Sequence, residues 1–240
     1  GADALRWFLM SSPILRGGDL QISKDGKQMH EVVRLVLNPI WNAYYFFTLY
    51  ANTDGVKARL RYDQTAVLDR YALSKTRAMV DGVQQRMDEY DLAGSCQEVK
   101  EYLDALNNWY IRRSRPRFWG ESGDADRQSA YDTLYTCLVT LCRAVAPMLP
   151  LLAEKVYTGL TGEDSVHLAD WPDASVLPQD LQLVAQMDRV RDGCSVGLAL
   201  RENAKRRTRL PLSKVTLAGV DASAMQPFVH LLQDELNIKE

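Results

Sequence analysis

At 240 residues the chain is long enough for one large domain, or one domain with a small annex, and its net charge of -2 excludes a global attraction for nucleic acid, so any such binding has to come from local patches. Hydrophobic residues at 46% and charged residues at 25% exclude a disordered chain and supply the apolar mass of a core. Four scattered cysteines (Cys96, Cys137, Cys142, Cys194) exclude a disulfide framework and a CxxC metal knuckle, and no apolar run approaches the roughly 20 residues of a membrane span; the expectation is core thiols in a reducing, cytoplasmic compartment.

The chain opens inside an apolar helix: Gly1 is followed directly by ADALRWFLM, as in a piece of a longer protein. Ser11, Ser12 and Pro13 end that helix, and Gly17, Gly18 and Asp19 make a loop. Residues 20–23 read as a short extended segment turned by Lys24, Asp25 and Gly26. A long helix is predicted over 29–51 on Val32, Val33, Val36, Ile40, Phe47 and Tyr50, with a kink at or before Asn38 because Pro39 follows. The nearly continuous apolar and aromatic run 41–50 predicts burial most of the way round.

Residues 52–64 are polar and contain the turn pair Asp54-Gly55; Asp63 is expected to cap a helix over 64–90, striped by Val67, Tyr71, Met79, Val80, Val83 and Met87. A short break at 91–94 leads into the helix that holds the densest chemistry of the chain. Residues 106–119, LNNWYIRRSRPRFW, gather Arg112, Arg113, Arg115 and Arg117 with Trp109, Tyr110, Phe118 and Trp119. At about 100° per residue, Leu103, Leu106, Tyr110, Ile111 and Phe118 share one arc. Arg112, Arg115 and Trp119 gather opposite, with Arg113 and Arg117 at the margin. Guanidinium forks beside an indole ring suit phosphates and unstacked bases. An amphipathic core helix with a solvated basic face reads the same residues equally well. Pro116 predicts that the helix kinks or ends there.

Residues 120–126 form a loop, and a helix over 130–146 is striped by Leu134, Leu138, Leu141 and Val145. Pro147 and Pro150 interrupt it before a short helix over 151–160. Four or five amphipathic helices on short polar loops make a bundle. Residues 162–178 are irregular; His167, beside Asp170 and Trp171 but without a catalytic partner, reads as a loop anchor. A helix over 180–204 ends in the basic run Lys205, Arg206, Arg207 and Arg209. A strand over 214–217, a helix over 226–236 and a second strand from 237 then read as a β-α-β unit cut at the last residue. Nowhere is there a GxGxxG, a P-loop or an HExxH, and His30, His167 and His230 fall in different elements. No catalytic residue and no metal ligand is assigned.

Six motifs in order carry a resemblance that spans essentially the whole chain. GADALRWFLMSSP at 1–13 resembles the segment after the catalytic domain of class I aminoacyl-tRNA synthetases. WNAYYFFTLYAN at 41–52, LDRYALSKT at 68–76, NWYIRRSRPRFW at 108–119, SVHLADWP at 165–172 and LALRENAKRRTRLPLSKVTL at 198–217 are similar to the isoleucyl-tRNA synthetase family. The valyl family shares the architecture, and the Ile-Arg-Arg-Ser-Arg core favours the isoleucyl one. The resemblance implies an all-α fold: a helical-bundle anticodon-binding domain of class Ia aminoacyl-tRNA synthetases, with the start of a small α/β C-terminal junction domain.

Its implied divisions are a linker and stem-contact segment over 1–28, the bundle over 29–175, and a long helix with a truncated junction domain over 176–240. The HIGH and KMSKS motifs and the editing domain lie upstream in such a protein, and the zinc-binding cysteines of some bacterial members do not occur here. The implied function is to hold the anticodon arm of the isoleucine-specific tRNA, as a monomer, while the rest of the ligase joins isoleucine to it with ATP and Mg²⁺. This piece would itself be non-catalytic. The expected contacts are Arg112, Arg113, Arg115, Arg117 and Trp119, then Lys205, Arg206 and Arg207, for which a solvated helix end is the alternative. Asp3 and Arg6 are expected to pack the base of the bundle. A non-enzymatic helical scaffold that binds proteins is the competing class.

Overall fold

Two long helical runs, each widened once by a π-helical turn, belong to the first of two units in the computed structural model, which describes residues 1–120, 123–219 and 222–239. The units are Gly1–Gln179 and Asp180–Glu240. The first run is α2 (Lys27–Val32), the π-turn Val33–Leu37 and α3 (Asn38–Asp54). The second is α5 (Leu92–Asp104), the π-turn Ala105–Ile111 and α6 (Arg112–Phe118). Around them stand α1 (Ala2–Ser11), α4 (Val67–Asp88), α7 (Asp124–Val145) and α8 (Pro150–Thr161).

Pro39, expected to kink its helix, and Pro116, expected to kink or end its own, both lie beyond a widened turn. Pro39 follows the turn that ends at Leu37, and Pro116 lies inside α6, which runs on to Phe118 instead of ending. Proline lacks the N–H and crowds the carbonyl four residues back, and a π-turn is one of the few devices that absorb such a defect without ending the helix.

The core follows the predicted stripes except at Val67, which opens α4 and is 43% exposed. Leu73, Val80 and Val83 of α4, Val99 of α5, Tyr110 of the second π-turn, and Leu134, Leu138 and Leu141 of α7 are all 0% exposed. α7 is buried almost all round, and its polar side chains find work there. Asp132 accepts the Arg59 N–H at 3.0 Å and Thr136 Oγ1 accepts the Arg61 N–H at 2.9 Å. The polar segment after α3 is thus laced to α7, with Gln64 Nε2 on Ser129 O at 3.3 Å. This explains a correction: Asp63 does not cap α4. It pairs with Arg61 at 2.9 Å, and the helix starts only at Val67, once the chain has left α7.

Asp3 and Arg6 do structural work, as expected of them. The buried Asp3 carboxylate accepts the N–H groups of Leu151 and Leu152, at 3.3 and 2.7 Å, and so caps α8 from a helix far away in sequence. Arg6 donates to Pro147 O at 3.0 and 2.8 Å, satisfying the carbonyl where α7 stops.

Two expectations fail. The run 41–50 is not buried all round: Trp41, Tyr45 and Leu49, one turn apart on α3, are 40%, 58% and 43% exposed. No strand occurs among the described residues, neither at 20–23 nor at 214–217. In the second unit, α9 (Leu181–Asn203) and α10 (Val229–Leu236) pack together, and the expected β-α-β unit is reduced to one parallel bridge between Leu212 and Ile238. There Leu212 N–H donates to Asn237 O and Lys239 N–H to Leu212 O, both at 3.0 Å. Isolated two-stranded pairing is marginal without a third strand, so β-propensity alone did not extend it. α9 meets α10 closely at Gly197, where a Cβ would come within 2.6 Å of Leu236.

Candidate nucleic-acid interface

The central helix sorts its aromatics and arginines into three groups. Trp109, Tyr110 and Ile111, consecutive in the widened turn, all face inward at 4%, 0% and 5% exposure. Trp109 thereby leaves the surface, and its indole N–H has no hydrogen-bond partner among the described residues. Arg113, half-buried, lies over the Trp109 ring with its guanidinium carbon 5.2 Å from the ring centre.

Arg117 is the second group and corrects the sequence reading, since it does not face solvent. Its side chain is 13% exposed and clamps the fully buried Asp69 carboxylate of α4 with Nη1 and Nη2 at 2.7 and 2.8 Å. Tyr110 Oη donates to the same carboxylate at 2.8 Å, while Arg117 Nε reaches Asp126 at 3.0 Å. Burial opposes the charge on Arg117, but the bonds to Asp69 and Asp126 outweigh it and hold the guanidinium above its ordinary value. Burial, and then the Asp69 charge, push the Tyr110 phenol well up, so it stays a neutral donor. The network ties α6 to α4 and α7 and fixes the end of α6 from below.

The third group is what remains at the surface: Arg112, Arg115 and Trp119. Trp119 is 54% exposed, and its indole Nε1 donates to Tyr50 Oη at 2.9 Å. Tyr50 packs on Phe46 (ring centres 4.9 Å), Phe46 edge-on against Phe118 (5.0 Å), and Phe118 against Tyr131 in the core (4.9 Å). The exposed ring is therefore anchored through an aromatic chain to the middle of the bundle. Arg115 makes no ion pair or side-chain hydrogen bond with the described residues. A fixed, half-open indole beside an unengaged guanidinium is suited to stack a base and neutralise a phosphate.

Sequence reasoning missed the neighbouring aromatic strip Trp41, Tyr45 and Leu49 on α3. The signal was present: these residues recur every fourth position, while Ile40, Ala43 and Phe47 carry the buried face. Overall hydrophobicity had masked that phase.

Lys205, Arg206 and Arg207 lie in the second unit, all exposed, around a cleft of about 440 Å³ shared with Leu198, Glu202 and Thr208. The buried Arg201 holds this loop from within by donating to the backbone carbonyls of Arg207 (2.6 Å) and Leu210 (2.5 Å), and to Leu236 O at 3.0 Å. Lys205 adopts a left-handed φ of 54° as the helix ends.

Nucleophiles and acid–base groups are otherwise inert. All four cysteines are free and buried, and burial pushes the thiols of Cys96 and Cys142 up to about 12 and that of Cys137 to about 11. His167 points its Nε2 at Pro150 O, 3.2 Å away, and stands 4.0 Å from Glu154. Among the described residues no group of three or more His, Cys, Asp or Glu is gathered as a metal would require, and no helix is long and apolar enough to cross a membrane.

Comparison with known proteins gives the chain a family. The family described as the anticodon-binding domain of tRNA ligase matches residues 69–216. An isoleucine–tRNA ligase of Leifsonia xyli is 51% identical over all 240 residues and one of Mycobacterium tuberculosis 48% identical; the chain covers 21% and 22% of their lengths. A more distant relative from Rickettsia bellii is 41% identical, with 24% of its length covered. The chain thus spans about a fifth to a quarter of the curated relatives it matches. Among solved structures, the LeuRS of an Agrobacterium radiobacter LeuRS–tRNA–LeuAMS complex aligns with a TM-score of 0.53 at 15% identity, over 77% of this chain and 20% of that one, a likeness of fold.

Proposed function

The chain belongs to the anticodon-binding domain family of tRNA ligases, and from that premise we propose that it is the part of an isoleucine–tRNA ligase that grips the anticodon arm of the isoleucine-specific tRNA. The observation that carries the reading is the surface of Arg112, Arg115 and Trp119, with the indole held open by Tyr50. Two guanidinium groups suit the phosphates of the anticodon loop, and the indole gives an unstacked base a plate. Arg113 and Arg117 serve this surface from beneath, one over Trp109 and the other on Asp69. Lys205, Arg206 and Arg207 form a second basic contact, reached by phosphates farther along the tRNA.

Attachment of isoleucine, with its ATP and Mg²⁺, falls to the rest of the ligase, which we take to be a cytoplasmic monomer. Among the described residues no group of three or more His, Cys, Asp or Glu gathers as a metal ion would require. The valyl-type ligase is the nearest alternative; the high identity to isoleucine–tRNA ligases over the whole chain favours the isoleucyl one.

The test is binding of an isoleucine tRNA transcript across a salt series. Replacing Arg112 and Arg115 with Ala should weaken binding most at low salt and lower the slope of log K against log salt by about 0.7 to 0.9 per lost phosphate. An unchanged affinity and slope would leave a solvated face, and the protein-binding scaffold would become the better reading.

A further inference from the structure

The two π-turns border the same cleft. Arg34 and Leu35 from the first, with Pro39, form one wall; Lys100, Leu103 and Asp104 of α5, with Asn107 and Asn108 of the second turn, form the other. The space is about 370 Å³. Its residues do not read as a surface paired with itself. Neither Arg34 nor Lys100 takes part in an ion pair or side-chain hydrogen bond among the described residues, although the acidic Asp104 shares the cleft. Asp104 is engaged instead by Asn108, whose Nδ2 donates to it at 2.6 Å, and Asn107 Nδ2 donates to Leu103 O at 3.0 Å. Each amide keeps a second N–H and a carbonyl oxygen, which is one donor and one acceptor.

Two unpaired cations beside two donor–acceptor amides match the repeating unit of RNA: a phosphate, and a 2′-hydroxyl that both gives and takes a hydrogen bond. The cleft also continues the surface already described. Along the second helical run the exposed positions Lys100, Asp104, Asn108, Arg112, Arg115 and Trp119 succeed one another every three or four residues. From Lys100 to Arg112 is roughly 18 Å at the usual helical rise. Resting on the RNA-binding reading above, we propose that the cleft is a further backbone subsite: the strand that passes Trp119 runs on along the helix, with Arg34 and Lys100 on its phosphates and Asn107 and Asn108 on its 2′-hydroxyls.

The experiment uses the 240-residue chain, an isoleucine tRNA transcript, and an anticodon stem-loop RNA with its 2′-deoxy counterpart, between 50 and 200 mM salt. Arg34→Gln with Lys100→Gln should lower the salt slope by about 1.4 to 1.8, so that the affinity lost across this range shrinks by about tenfold. Asn107→Ala with Asn108→Ala should keep the slope and reduce the preference for RNA over the deoxy strand by about threefold or more. Thermal melts must match the parent chain for both variants, whose substituted side chains all lie at the surface of the cleft. If Arg112→Ala with Arg115→Ala weakens binding while the Arg34 and Lys100 variant keeps the parent slope, the subsite is wrong and the proposed function stands. If the slope falls but the deoxy preference does not move, the 2′-hydroxyl assignment is overturned. If neither the Arg112 and Arg115 pair nor the Arg34 and Lys100 pair matters, both readings fall together.

Discussion

Arg117 and Trp119 lie two residues apart and should fail in opposite ways when altered. Arg117 is a buried cation that faces a carboxylate with no exposure at all. Removing either partner leaves an uncompensated charge in the core, so Arg117→Ala or Asp69→Ala should cost about 3 to 5 kcal/mol in urea unfolding. Replacing the pair together, Arg117→Met with Asp69→Leu, should cost much less, since no lone charge remains. An equally large loss in the double variant would mean that Tyr110 and Asp126 depend on the pair more than their distances imply. Trp119→Ala should leave stability within about 1 kcal/mol, because the ring is half-exposed and makes one hydrogen bond. It should instead weaken tRNA binding by about 1 to 3 kcal/mol at unchanged salt slope, as stacking releases no counterions. Unaltered binding in that variant would remove Trp119 from the contact surface. In the sequence the two residues look alike, each an amphipathic side chain on a basic helix. What separates them is Asp69, about fifty positions earlier, and no local pattern announces such a partner.

At the scale of elements, helix ends carry the predictions. Asp3 caps α8 from outside it, so Asp3→Ala should destabilise by about 0.5 to 2 kcal/mol and loosen amide-exchange protection first at Leu151 and Leu152. Protection lost uniformly instead would make Asp3 a general packing residue. Asp91 caps its own helix: it accepts the Gly94 N–H at 2.9 Å and pairs with Arg16 and Arg86. The Gly94 N–H first, and then Arg16, hold its carboxyl below the usual range. A lowered folded value means that its contribution is present above about pH 4 and is lost as pH falls through the folded value. Asp91→Asn should therefore flatten the acid limb of the stability curve below about pH 4, and a limb of unchanged steepness would remove Asp91 from it. The positions of the helices were legible, because stripes such as Leu134, Leu138, Leu141 and Val145 report burial directly. Their ends were not. Asp63 had the right chemistry for a cap and lost it to the lacing of its segment onto α7, a contact between elements far apart in sequence. The prolines were recognised as defects, but the π-turns that absorb them leave no mark in periodicity.

For the whole molecule we predict that this chain does no chemistry of its own. Covalent or acid–base catalysis needs a nucleophile near its charged form, or an acid–base pair within hydrogen-bond reach. The thiols of Cys96, Cys137 and Cys142 move the other way, pushed up to between about 11 and 12 by burial. The core phenols Tyr102 and Tyr110 are raised first by burial and are engaged in structural hydrogen bonds. His167 faces a backbone carbonyl. The surface that remains, Arg112, Arg115 and Trp119, offers guanidinium donors and a stacking face. The kinship with tRNA ligases was readable from the sequence, where motifs spread over the chain carry it; the lack of a sheet among the described residues of 214–239 was not, because tertiary pairing decides it. The pure 240-residue chain should therefore give isoleucine-dependent pyrophosphate exchange no faster than a buffer control, while retaining salt-dependent binding of tRNA. Exchange above the control that is lost on substituting a residue of this chain would locate chemistry here after all. Binding without exchange would leave this piece the task of holding the RNA while another part of the ligase reacts.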